Sequence, residues 1–309
     1  MASAPTRSSP SSLIRFEPPD LMLTPEELKQ LKRLHIQAGR RVDSPFAGEY
    51  RSAFRGQGME FEEVRPYVPG DDVRHIDWNV TARTGAPHIK EFREERELCL
   101  QLVLDVSGSV DFGSGGRDGK TDKRLQIARL AGALAYAAIR NGDQVGLMTF
   151  TDRVERFLPP RKSRGHAWAV MRSAWERSAD GRRTDLAGAL SEVGRHLKRR
   201  SVVCVLSDFV SEGDYQRELA ILARRHRVNC FLIHDRLEAA LPSLGLVNVE
   251  DAETGKRRVV DLGQLAAKHS VETRLRSLRR LGVKSSAVGT DDDPFQHLLQ
   301  HFRRMEQSR

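Results

Sequence analysis

From Leu98 onward, short apolar runs alternate with helical patterns, and this alternation constrains the fold more than any other feature of the chain. Leu98 to Leu104 reads as an apolar run of the kind a parallel sheet buries on both faces. Leu125 to Ile139 then places apolar residues at 127, 130, 131, 134, 135 and 138, one face of a helix, and Asn141-Gly142 stops it. The pattern continues with strand Val145–Phe150, helices Ala167–Trp175 and Leu186–Leu197, strand Val202–Leu206, helix Tyr215–Arg225 and strand Val228–Ile233. Leu246–Glu250 and Arg258–Asp261 flank Glu253-Thr254-Gly255 as a hairpin. A helix near Gln264–Leu281, a strand at Val283–Val288 and a last helix follow. In that helix Phe295, Leu298, Leu299 and Phe302 share a face, with Asp291-Asp292-Asp293 at its positive end. Strands alternating with helices predict an α/β protein with a doubly wound, mostly parallel, Rossmann-type sheet.

The first part of the chain reads differently. Residues 1–22 are rich in Ser and Pro, the composition of a flexible tail. Thr24-Pro25-Glu26-Glu27 combines an N-cap, a first-turn proline and an acidic first turn, which predicts a helix to about Ala38. Arg41 to Glu97 is broken by glycines into strand-like pieces. The division expected is therefore a tail (1–22), a small β-rich N-terminal module with its helix (23–97), and the α/β domain with its C-terminal extension (98–309). Within the module, Arg65-Pro66-Tyr67-Val68-Pro69-Gly70-Asp71-Asp72-Val73-Arg74-His75-Ile76-Asp77-Trp78 interleaves acids, bases and aromatics. Such density builds either a structural ion-pair network or a recognition surface, and the structural reading is preferred.

Composition removes several classes. Three cysteines, each in an apolar run, exclude a disulfide scaffold and offer no CxxC metal clip. No apolar run of about 18 residues suggests a transmembrane helix, and the N-terminal stretch lacks the apolar core of a secretory signal, so a cytoplasmic protein is expected. A net charge of +9 favours acidic partners. A nucleic-acid binder is the alternative class, but aromatics for base stacking make up only 6% of the residues. The basic clusters at 196–200 and 224–227 also fall at predicted helix ends, where cations complement the dipole.

In an open α/β sheet, ligands sit beyond the carboxyl ends of the strands. One strand there ends in Asp105-Val106-Ser107-Gly108-Ser109, another in Ser207-Asp208, and Arg183-Thr184-Asp185 precedes a helix, with Thr184 as N-cap or loop residue. Asp-x-Ser-x-Ser with a distant Thr and a distant Asp resembles the metal-ion-dependent adhesion site of von Willebrand factor A domains. The resemblance implies a divalent cation (Mg²⁺, or Mn²⁺ or Ca²⁺) held by Asp105, Ser107, Ser109, Thr184 and Asp208. Mg²⁺ takes about six oxygens and keeps some water. With several neutral hydroxyls as ligands its charge is incompletely balanced, so it would accept a carboxylate from a partner protein. Two positions depart from the family pattern: Arg183 stands before the threonine where a small residue is common, and Phe209 follows Asp208 where glycine is frequent.

Gly56-Gln57-Gly58-Met59-Glu60-Phe61, the 65–78 segment, Ala82-Arg83 and the Asp-x-Ser-x-Ser strand together resemble domain-of-unknown-function family 58, bacterial and archaeal proteins with a von Willebrand factor A-like domain. The resemblance covers about Arg41 to Phe302. It implies a non-enzymatic protein-interaction adaptor, with a MoxR-type AAA+ ATPase as a possible partner in complex assembly or maturation. Many members carry N-terminal membrane helices, for which this sequence shows no apolar run.

Two enzymatic readings compete. Gly113 to Thr121 suggests a P-loop, but the required glycine five positions before Gly119 is Ser114. A metal-assisted hydrolase needs a base, for which Asp185 or Asp208 would serve, yet no Gly-x-Ser-x-Gly elbow surrounds Ser107 or Ser109. His234, after an apolar strand, reads as a core or rim histidine.

Overall fold

The computed structural model describes residues 47–54, 59–94, 98–114, 121–176, 179–211, 213–239, 246–250, 257–261 and 270–307. The helix expected at 24–38 and the tail lie outside them.

The predicted alternation builds one six-stranded sheet. Its strands are β3 (Cys99–Asp105), β4 (Gln144–Phe150), β5 (Val154–Arg161), β6 (Val202–Ser207), β7 (Arg227–His234) and β10 (Lys284–Gly289), in spatial order β10-β7-β6-β3-β4-β5. All neighbours are parallel except β4 and β5. Taking β3 as the first strand, the order is 3-2-1-4-5-6, the doubly wound arrangement whose direction reverses between β3 and β6. β5 is not among the strands expected from sequence. Pro159 and Pro160 lie within it, and an edge position tolerates the missing N–H donors. The hairpin is observed as β8 (Leu246–Glu250) against β9 (Arg257–Asp261).

Helices cover both faces, and side-chain alternation along the strands sorts the core into two layers. Leu100, Leu102 and Leu104 of β3 face helices α1 (Ala47–Phe54), α3 (Lys123–Arg140), α4 (Arg164–Trp175) and α9 (Pro294–Gln307). Val103 faces α5 (Leu186–His196), α6 (Gln216–Arg225) and α8 (Val271–Arg280). Four helix starts carry side-chain caps that the sequence reading did not name: Asp122, Ser163, Asp185 and Ser270 each accept N–H bonds from the first turns that follow. The expected 264–281 helix is seen as Val271–Arg280, with 262–269 outside the described residues.

Between Arg41 and Glu97 the structure contains more helix than a purely β-rich module. β1 (Met59–Pro66) pairs antiparallel with β2 (His88–Glu94), and α2 (Trp78–Thr84) lies between them in sequence. The charges of the 65–78 segment are spent on this geometry. Arg65 grips Asp71 through two bonds of 2.7 and 2.9 Å, and Asp71 also accepts the Val68 N–H. Those bonds, the Arg65 contact first, hold Asp71 down to about 2. Asp72 caps the turn at Val73–His75, and Asp77 caps α2. α1 packs into the α/β core instead: Tyr50 and Phe54 are fully buried and stack edge-on against Phe302 at 5.9 and 5.2 Å.

Candidate metal-binding site

β3 and β6 are adjacent parallel strands, so topology alone brings Asp105 and the Ser207-Asp208 pair to the same edge. Asp105 is fully buried. Its Oδ1 accepts the Ser107 N–H at 3.0 Å and its Oδ2 accepts the Ser207 hydroxyl at 2.6 Å. Burial, and then the negative charge of Asp208, push its carboxyl upward.

The two serines of the motif turn the same way, with Ser107 Oγ and Ser109 Oγ 3.1 Å apart. Ser107 is fully buried; Ser109 is half-buried. The loop carrying Thr184 is stitched to both strand ends. The Gly108 N–H donates to Arg182 O at 2.9 Å, and the Ser211 hydroxyl donates to Thr184 O at 3.4 Å. The cap of α5 is Asp185, which accepts the Gly188 N–H, and buried Thr184 precedes it in the loop. Three loops thus converge at the point where the strand order reverses, as the sequence reading expected of them. Arg183 is exposed.

Asp208 is the position where the structure adds what the sequence reading missed. Its Oδ1 accepts the Val210 N–H at 3.0 Å, and its Oδ2 receives Lys123 Nζ at 2.8 Å. Arg274 of α8 clamps its carbonyl oxygen. Burial alone would raise the Asp208 carboxyl, but the Lys123 ammonium outweighs it and holds the group below its usual range. Lys123 is itself nearly inaccessible and bridges onward to Glu238 Oε1 at 2.5 Å, on the short helix α7 (Arg236–Ala239). Its ammonium stays charged because the two carboxylates outweigh its burial.

The residue after Asp208 explains why glycine suits that place. Phe209 has φ +54°, a left-handed conformation in which a bulky side chain is an outlier. Its ring is buried against Tyr215, centroids 5.9 Å apart, and its N–H donates to Ser207 Oγ at 2.9 Å.

The rival sites fare differently. Ser114, at the start of the glycine-rich stretch, spends its N–H and hydroxyl on Asp235 Oδ2 (3.0 and 2.9 Å), so that N–H does not point to a phosphate; residues 115–120 lie outside the described set. Of the two acids a hydrolase would use as base, Asp185 accepts the Gly188 N–H as the cap of α5 and Asp208 accepts Lys123 Nζ. His234 ends β7 at the carboxyl edge, with burial pushing it toward the neutral form. Among the described residues, no group of three or more His, Cys, Asp or Glu is arranged to hold a metal, so the candidate cage depends on hydroxyls with two acids. No described helix is long and apolar enough to cross a membrane.

Fold and site together define a doubly wound α/β protein with a polar constellation at the switch point of its sheet. The chain belongs to the family described as "Protein of unknown function DUF58", whose model matches residues 63–280. Uncharacterized proteins of Mycobacterium tuberculosis and Mycobacterium bovis are 30% identical to it over 302 residues, covering 94% of this chain and 92% of theirs. Solved structures with related folds include an aerotolerance-related membrane protein from Bacteroides fragilis (14% identity, TM-score 0.46, 69% of this chain and all of that one). BatB from Bacteroides thetaiotaomicron matches at 13% identity and TM-score 0.44, over 68% of this chain and 99% of that one.

Proposed function

We propose that this chain is a divalent-cation-dependent protein-interaction module without catalytic activity of its own. The observation that carries the reading is the convergence of Asp105, Ser107 and Ser109, the Thr184 loop and Asp208 at the sheet's switch point. Hard oxygen donors, mostly uncharged, suit Mg²⁺, with Mn²⁺ or Ca²⁺ as substitutes. When bound, such an ion supplies a Lewis-acidic position for a foreign carboxylate. The chain's own residues do the rest. Ser207 and the Ser107 amide fix the Asp105 carboxylate, and the Gly108 and Ser211 bonds hold the three loops in register.

The partner in this reading is a protein presenting an Asp or Glu. The family resemblance suggests a MoxR-type AAA+ ATPase acting in complex assembly or maturation, with the module working in the cytoplasm. Calorimetric titration with MgCl₂ of the wild type and Asp105→Ala tests the site. A metal-dependent heat in the wild type that the variant lacks is expected, and no heat in the wild type refutes the reading. A pull-down from native lysate, repeated with chelator, tests the partner: capture that survives chelation contradicts metal dependence.

A further inference from the structure

We propose that Lys123 is a tethered cation that competes with a divalent ion for Asp208, and that Glu238 is the carboxylate that keeps the ammonium partnered when the ion takes Asp208. This rests on the metal-site reading above and names how that site is regulated.

Lys123 occupies the first position of α3, directly after the cap Asp122. The start of a helix carries partial positive charge, so a lysine there has the wrong sign. Only 2% of its side chain is exposed, and a buried ammonium persists only with close partners. It has two, Asp208 Oδ2 at 2.8 Å and Glu238 Oε1 at 2.5 Å. The face of Phe112 lies 5.8 Å from the ammonium.

The two partners differ in setting. Asp208 is 1% exposed and sits at the switch point beside Asp105; Glu238 is 26% exposed, beyond the end of β7. Both Asp208 oxygens are in use, one by the Val210 amide and the other by Lys123. A divalent ion drawing on Oδ2 must displace the ammonium. Glu238 lets that happen without stranding a buried charge, because Lys123 keeps one carboxylate throughout. With no ion bound, the lysine counters the repulsion between Asp105 and Asp208 and holds the site together. The arrangement is an exchange of one cation for another at a single carboxylate.

The test is titration of the full chain with MnCl₂ and MgCl₂, followed by calorimetry and by the Mn²⁺ electron paramagnetic resonance signal. The proteins are the wild type, Lys123→Met, Glu238→Gln and the double variant. Lys123→Met is expected to bind Mn²⁺ at least tenfold tighter than the wild type. Glu238→Gln is expected to bind more weakly, and to have little effect when Lys123 is already Met, since its role runs through the ammonium. Binding in the wild type that strengthens when Lys123 is removed supports both site and competition. Equal affinities in wild type and Lys123→Met overturn the competition and leave the metal site standing. No binding in any of the four proteins overturns the metal site itself and the inference with it. Should Lys123→Met fail to fold, Glu238→Gln decides: an affinity equal to the wild type's refutes the exchange.

Discussion

Ser207→Ala isolates the interaction that orients Asp105, and its cost follows from what the hydroxyl does. Ser207 Oγ is fully buried; it donates to Asp105 Oδ2 at 2.6 Å and accepts the Phe209 N–H at 2.9 Å. Alanine therefore takes the bond from Asp105 Oδ2 and the acceptor from the buried Phe209 N–H at once. A hydrogen bond to a charged acceptor contributes about 1.5–3 kcal/mol, and a buried unsatisfied donor costs about 1–3 kcal/mol. The two losses share one atom and are not additive, so a destabilisation of about 3 kcal/mol is expected. Ser109→Ala removes a half-buried hydroxyl whose described contact is Ser107 Oγ at 3.1 Å, and should cost under about 1 kcal/mol. Equilibrium urea unfolding followed by circular dichroism measures both, with the slope checked for constancy. If Ser207→Ala loses under about 1 kcal/mol, or Ser109→Ala loses as much as Ser207→Ala, the hydroxyl at 207 is not the support of the buried acid.

Three further outcomes can be measured. A Cβ at Gly146 would stand 2.5 Å from Gln101 Oε1, 2.8 Å from Pro160 N and 2.9 Å from Leu158 O, so Gly146→Ala must push β5 outward. A loss of about 1–3 kcal/mol with faster hydrogen exchange in β5 is expected, and unchanged exchange there contradicts the close approach. Phe54→Ala should cost about 3–5 kcal/mol and expose α1 to proteolysis, because the ring is buried against Tyr50 and Phe302; a loss below about 1 kcal/mol would detach α1 from the core. His301 is pushed down to about 3 by burial, then by His297, Arg304 and Lys284, and it lies against Asn229 and Phe231. A histidine held neutral when folded contributes fully above its unfolded pKa near 6.5, and that contribution drains away as pH falls toward about 3. Between pH 6 and 4 the wild type should lose about 1 kcal/mol per pH unit more than His301→Gln, and parallel unfolding curves would contradict this.

The scaffold was legible because its signals are local. Apolar runs and helix stops fix most elements of the α/β domain within a few positions, and βαβ connectivity then forces a parallel sheet. β5 escaped because Pro159-Pro160 argues against a strand until an edge position is known. Asp105, Ser107, Ser109 and Asp208 were legible for a topological reason: strand ends in a doubly wound sheet meet at its carboxyl edge, whatever their separation in sequence. Lys123 was not. Its partners lie 85 and 115 residues away, and no rule of spacing connects them. The one sequence signal was a cation at the start of a helix, where it is electrostatically disfavoured, and surface lysines produce the same pattern at no cost.

Phe209 departs from the glycine that the resemblance implies at this place, and its packing bears on the candidate site. Glycine would adopt φ +54° freely, whereas phenylalanine there is held against a backbone preference worth about 1–2 kcal/mol. The compensation is visible in the core, where the ring is buried beside Tyr215 and the second hydrophobic layer. Burying a phenylalanine side chain contributes about 1.5–3 kcal/mol, enough to offset the strain. The packed ring fixes the peptide plane before it, which aims the Phe209 N–H at Ser207 Oγ. That bond in turn points the Ser207 proton at Asp105. A glycine would reach the same φ but would leave the peptide free to leave it. The buried ring thus favours the backbone conformation whose N–H supports the Ser207 hydroxyl, and that hydroxyl donates to the buried acid.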